Sequence, residues 1–233
     1  MSDLELYERG VKERLVHLQQ EVAQAAARSG RTSDAVRIVG VSKYIDLAQT
    51  EILAKVGLSD LGENRWQVAQ PKVEAKLPVT WHFIGPLQTN KARKVVQHFG
   101  LIHTLDRIEL ARVLCAEATA QGRIVKALMQ VNIAREPQQS GVDPNRVEAL
   151  LEEISTLGQL QVVGFMMIGT QGAGEALLRR QFSWLRELRD GVAQRCGLPL
   201  TELSMGMSND FALAIEEGAT LVRIGRRLVL ENC

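Results

Sequence analysis

Five short apolar runs in this 233-residue chain end in, or carry, residues able to do chemistry. The first, Val39-Gly40-Val41-Ser42-Lys43, delivers a lysine. An amine withdrawn from water beside other positive charge gives up its proton more readily and can attack an aldehyde to form a Schiff base. The second run closes with Gly62-Glu63-Asn64-Arg65, and the third, Trp81-His82-Phe83-Ile84-Gly85, sets a histidine among apolar residues. Near the end stand Leu203-Ser204-Met205-Gly206-Met207-Ser208-Asn209-Asp210 and Val222-Arg223-Ile224-Gly225-Arg226. Their glycines and serines precede a helix or turn, where backbone N–H groups and hydroxyls can face an anion such as a phosphate. A guanidinium closing a strand, as Arg223 would, calls for an anion or a ring acceptor. Each feature also has a plainer reading: a solvated lysine, a helix N-cap at Ser208 or Asn209, a hydrogen-bonded core histidine at His82.

What would bring these residues together is a regular alternation of elements. Leu4, Tyr7, Val11, Leu15, Leu18 and Val22 recur with helical period, and the pattern stops near Ser29-Gly30, a C-terminal signal. Strands are expected at 36–42, 59–62, 80–85, 101–105, 124–133, 160–168, 201–205 and 220–224, with helices at 47–56, 90–98, 107–120, 144–157, 175–195 and 210–217. Strands separated by helices pair in parallel. Eight such units predict a closed (β/α)8 barrel with an extra N-terminal helix, one domain over residues 1–233. In that fold functional groups gather at the C-terminal strand ends, with phosphate after the seventh and eighth strands. Few residues come after the eighth strand, so the N-terminal helix is expected to take the place of the usual last one. The first strand has no Gly-x-Gly-x-x-Gly after it, which weakens a dinucleotide-binding reading.

The bulk properties narrow the function classes. With 45% hydrophobic and 24% charged residues the chain can bury a sizeable core. A formal net charge of +1, spread along the chain, predicts neither a nucleic-acid footprint nor a polybasic membrane patch. Cys115, Cys196 and Cys233 are odd in number and far apart, against a disulfide framework or a structural zinc site. An acidic, amphipathic start and the lack of a membrane-length apolar run complete the expectation of a cytoplasmic protein.

With the motifs assembled, the chain resembles the pyridoxal 5′-phosphate (PLP)-binding homeostasis proteins, whose fold is similar to the barrel domain of alanine racemase. The most specific part is Trp81 through Lys91, reading Trp-His-Phe-Ile-Gly-Pro-Leu-Gln-Thr-Asn-Lys, supported by Val41-Ser42-Lys43, Gly62-Glu63-Asn64, Ser204 to Ser208 and Val222 to Gly225. The resemblance implies PLP held as a Schiff base on Lys43, phosphate contacts from Ser208 and the backbone around Gly225 and Arg226, Arg223 near the pyridine nitrogen, and Asn64 and His82 along the ring. It implies a role in PLP and vitamin B6 homeostasis, with PLP-requiring apo-enzymes as partners; the expected state is a monomer. Two positions depart from the family pattern: Arg226 where a threonine is usual, and Gln139 where many relatives carry lysine before Ser-Gly.

The rival reading is a PLP-dependent racemase or lyase acting on amino acids. Two-base racemisation needs a proton donor on each face of the substrate carbanion. Only Lys43 is evident, with His82 the ready candidate for a second group, so a binder is expected rather than a robust enzyme.

Overall fold

A computed structural model gives the fold for residues 2–134 and 140–230. Gln139 and Cys233 lie outside the described residues. The chain opens on α1 (Asp3–Arg28), entered through a capping box in which Ser2 Oγ accepts from the Glu5 amide and the Glu5 carboxylate accepts from the Ser2 amide. Tyr7, Val11, Leu15, Leu18 and Val22 bury one stripe of α1, while Leu4 at its edge stays exposed. The helix stops at Ser29, and Gly30 takes a positive φ of 70°.

Eight strands come next: β1 (Arg37–Val41), β2 (Asp60–Glu63), β3 (Thr80–Phe83), β4 (Leu101–Leu105), β5 (Val125–Gln130), β6 (Leu160–Met166), β7 (Glu202–Met207) and β8 (Leu221–Ile224). Each pairs in parallel with its successor, and β8 pairs with β1 through Arg37↔Leu221 to Gly40↔Ile224, closing the barrel. The (β/α)8 expectation holds. Helices α2 (Leu47–Lys55), α3 (Trp66–Glu74), α4 (Ala92–His98), α5 (Ile108–Ala120), α6 (Val147–Ser155), α7 (Glu175–Cys196) and α8 (Phe211–Glu216) surround it. Their apolar stripes and the outer strand faces make one large core.

Helix α3 is the element the sequence pattern does not reveal. Pro71 lies inside it, and Arg65 at its start supplies no side-chain cap. Both would argue against a helix, because an interior proline removes one backbone donor; burial of Trp66, Ala69 and Val73 against the barrel outweighs that loss. After β8 a single turn, α9 (Arg226–Val229), takes the chain across the seam. The N-terminal helix covers that seam: Arg14 Nε donates to Leu228 O at 2.8 Å, and Arg227 pairs with Glu21.

One irregularity shapes the barrel mouth. Ser204 pairs with Leu221 but Met207 with Arg223, so β7 carries one extra residue over that stretch. Such a bulge bends the strand and re-aims the residues beyond it. Gly206 sits there at φ 89°, where a Cβ would lie 2.6 Å from that of Ala214; only glycine allows β7 to turn so close to α8.

Candidate functional site

A cavity of about 570 Å³ opens at the C-terminal ends of the strands. Lys43, Asn64, Ser208, Arg223, Gly225 and Arg226 all line it, delivered by β1, β2, β7 and β8. Its size suits a small ring compound, for which pockets of roughly 300 to 1,000 Å³ are usual. Tyr44, Ile168 and Met207 add exposed apolar surface at the rim.

Lys43 is half-buried, its amine 4.8 Å from the centroid of the Tyr44 ring. The backbone beneath it is held from behind. Ser42 is buried, and its carbonyl accepts from Lys72 Nζ at 2.7 Å. Its hydroxyl donates to Glu63 Oε1 at 2.7 Å, and Lys72 Nζ donates to that same oxygen at 2.6 Å. This ion pair, 3% and 0% exposed, lies between the barrel and α3. Glu63 Oε2 finds no hydrogen-bond partner there. Lys72 is a positioning residue that the sequence pattern hides, because it hides the helix that carries it.

On the neighbouring strand β8, Arg223 is buried and pinned by two hydrogen bonds, NH1 to Ser204 Oγ at 2.6 Å and NH2 to Met167 O at 2.8 Å. Burial lowers its pKa to about 10, partly opposed by Asp210. The guanidinium still carries a proton at neutral pH and has donors to spare for the cavity. Asp210 is a second group that the sequence motifs do not single out. Its Oδ1 accepts from the Met207 amide at 2.5 Å, tying the 207–210 turn. Burial raises its pKa, while the Met207 amide and the Arg223 charge act the other way.

Among the described residues, the side chains of Asn64, Ser208 and Arg226 make no hydrogen bond within the chain, so their polar groups remain available to a ligand. Asn64 is set by a close approach between the exits of β2 and β3, since a Cβ on Gly85 would fall 2.2 Å from Asn64 O. Ser208, the 225–226 backbone and the exposed Arg226 guanidinium form a polar part of the cavity lining.

His82 is placed differently from what the family resemblance implies. It lies inside the barrel, fully buried, and does not reach the cavity. Its Nε2 is 2.8 Å from Asp60 Oδ1 and its Nδ1 is 2.9 Å from His103 Nε2. The third residue of β3 is flanked by β2 and β4, so its side chain meets theirs below the mouth. The hydrogen-bonded core histidine is the reading that geometry favours.

The site therefore belongs to a class of parallel eight-stranded barrels that gather an amine, a buried guanidinium and a serine-bearing turn at one mouth. Residues 14–232 match the family described as alanine racemase, N-terminal domain. A pyridoxal phosphate homeostasis protein of Aquifex aeolicus is 38% identical over 222 residues, covering 94% of this chain and 97% of its own. That of Escherichia coli K12 is 34% identical, covering 91% and 92%. Among solved structures, PipY of Synechococcus elongatus with PLP bound superposes with a TM-score of 0.84 at 37% identity, covering 94% of this chain and 99% of that one. A D-threonine aldolase from Filomicrobium marinum, at 15% identity and a TM-score of 0.76, shares the fold. The chain belongs to the pyridoxal phosphate homeostasis proteins, within the alanine racemase N-terminal domain family.

Proposed function

We propose that this protein binds PLP as a Schiff base on Lys43 and serves intracellular PLP homeostasis. The observation that carries the reading is the convergence of Lys43, Arg223 and the Ser208–Arg226 polar end on one small cavity. That set fits the cofactor's three handles: an amine for the aldehyde, a donor-only guanidinium for the ring nitrogen, and hydroxyl, amide and guanidinium donors for the phosphate. PLP, when bound, supplies an electron-withdrawing ring and an exchangeable carbonyl. The chain's own residues temper that chemistry, because Arg223 can give the ring nitrogen a hydrogen bond but cannot take up its proton.

A cytoplasmic monomer that passes the cofactor to apo-enzymes completes the reading. No helix among the described residues is long and apolar enough to cross a membrane, which agrees with it. The test is borohydride reduction followed by peptide mass spectrometry. A phosphopyridoxyl adduct on Lys43, lost in Lys43→Ala, is the expected result; an undiminished adduct on another lysine in the variant refutes the assignment.

The family's link to alanine racemase keeps an enzymatic reading in view, and Asp210 is the carboxyl group that could serve it from within the cavity. Exchange of the α-proton of alanine in deuterated buffer separates the two. Slow exchange fits a binder; turnover at roughly 1 to 1,000 per second would make the protein an enzyme.

A further inference from the structure

Barrel interiors of this type are ordinarily packed with Val, Ile and Leu, and Val39, Leu101, Leu128, Met166 and Leu221 do form such a cluster here. Through the same interior runs a line of buried polar side chains that the cavity does not use. Asp60 Oδ1 meets His82 Nε2 at 2.8 Å, His82 Nδ1 meets His103 Nε2 at 2.9 Å, and His103 Nδ1 meets Ser204 Oγ at 2.9 Å. Ser204 Oγ then accepts from Arg223 NH1 at 2.6 Å.

The chemistry of the two ends fixes the order of hydrogens along the line. A guanidinium can only donate, so Ser204 Oγ accepts there and its own hydrogen goes to His103 Nδ1. A neutral imidazole that accepts at Nδ1 carries its hydrogen on Nε2, which His103 gives to His82 Nδ1. His82 in turn carries its hydrogen on Nε2 and donates it to the Asp60 carboxylate. That carboxylate also accepts from the Ser59 hydroxyl at 2.7 Å and lies 3.7 Å from Arg37 NH1, an environment that keeps it ionised. Burial above all, with the neighbouring charges of Arg223 and Arg37, holds the His103 imidazole well below its ordinary value, in keeping with a neutral ring. The reverse order would leave Ser204 accepting from both sides, with its own hydrogen unplaced.

We infer that His82 and His103 are positioning residues for Arg223, neutral imidazoles with their hydrogens on Nε2, in an ordered chain from Asp60 that commits the Ser204 hydroxyl and so fixes which guanidinium donors face the cavity. The inference rests on the reading that a ligand ring nitrogen meets Arg223. It adds that the interior cannot deliver a proton to that nitrogen, because the last member of the chain has no acceptor through which a proton could pass.

Two measurements test it. Long-range nitrogen–proton correlation spectra of the ligand-free, histidine-labelled protein, assigned with His17→Gln and His98→Gln, should show His82 and His103 as neutral Nε2–H tautomers at about pH 8, above the range in which an ordinary imidazole titrates. An imidazolium at His82, or a hydrogen on Nδ1 of either ring, overturns the proposal. The second measurement compares affinities for PLP and for its carbocyclic analogue lacking the ring nitrogen. Ser204→Ala should weaken PLP about tenfold and the analogue by less than about twofold, the scale of one hydrogen bond. Leu221→Ala, which opens a hole in the barrel interior beside Ser204 but removes no hydrogen bond of the line, should weaken both alike. Equal weakening of both ligands by Ser204→Ala overturns the positioning role. Ser204→Thr, which keeps the hydroxyl, should restore the preference for PLP; failure to do so counts against the chain. The tautomers are read without ligand, so a Schiff base found on another lysine would leave that result standing.

Discussion

The barrel mouth and the barrel interior are both polar, and they are polar in opposite ways. Below the mouth, each link of the line from Asp60 to Ser204 is satisfied inside the fold. At the mouth, Asn64, Ser208 and Arg226 make no side-chain hydrogen bond among the described residues, and Arg223 has donors left over. A buried polar group without a partner is costly, whereas one facing a solvent-filled cavity is not. Satisfied groups thus build the scaffold, and spare ones mark the place where a ligand completes the set. Arg223 stands at the boundary, with one side of its guanidinium committed to Ser204 and Met167 and the other open.

If that division is correct, substitutions below the mouth should cost stability while those at the mouth cost ligand. The largest effect is expected from Lys72→Ala, which strands the buried Glu63 carboxylate, one of whose oxygens already lacks a partner. Removing one member of a buried pair costs roughly 3 to 5 kcal/mol, read as a lower denaturant midpoint. Lys72→Ala and Glu63→Gln together should recover part of it, since no uncompensated charge then remains. A Lys72→Ala protein of parental stability would mean that the pair is hydrated in solution.

Next in size is Ser208→Ala at the phosphate end. Loss of one charge-assisted hydrogen bond, roughly 1.5 to 3 kcal/mol, should weaken PLP about ten- to a hundredfold by titration and leave unphosphorylated pyridoxal nearly unchanged. The thermal midpoint should hardly move. Equal weakening of the two ligands would assign Ser208 to the fold rather than to the ligand.

A smaller effect tests the foot of the interior chain through pH. Burial pushes the Asp60 carboxyl up, but hydrogen bonds from His82 and Ser59 and the Arg37 charge outweigh it, and its pKa is lowered overall. A carboxylate with a depressed folded pKa contributes stability that is present above its unfolded value of about 3.9 and is lost as pH falls through the folded value. Asp60→Asn should therefore be less stable than the parent by about 1 kcal/mol at neutral pH. The difference should close on acidification, in denaturant titrations at a series of pH values. A gap that widens toward acid would reverse the sign and place a neutral carboxyl at Asp60.

The smallest effect belongs to Arg226, an exposed guanidinium at the cavity. Arg226→Gln should weaken PLP by no more than about fivefold at low salt, an exposed pair being worth roughly 0.2 to 1 kcal/mol, and the difference should vanish as salt screens it. A salt-independent loss would show that Arg226 holds the phosphate by a desolvated contact.

Much of this molecule was determined by sequence alone. Short β-branched runs and helical stripes specify the eight-stranded alternation, and polar residues closing those runs put Lys43, Asn64, Ser208, Arg223 and Arg226 around one cavity, because a parallel barrel puts every strand end on the same rim. The same logic fails for α3, where Pro71 and an uncapped start disguise a helix stabilised by packing, and with it for Lys72. For His82 the apolar run itself favours a hydrogen-bonded core histidine, and only the resemblance set it along the ring; a strand pattern does not tell a residue's height in the barrel. That height is set by strand register, which pairs His82 with Gly62 and with Leu101. Only the closed sheet brings Asp60, His103 and Ser204, from three different strands, within hydrogen-bonding distance of one line of atoms. Long-range pairing decides such contacts, and no local spacing in the chain encodes them.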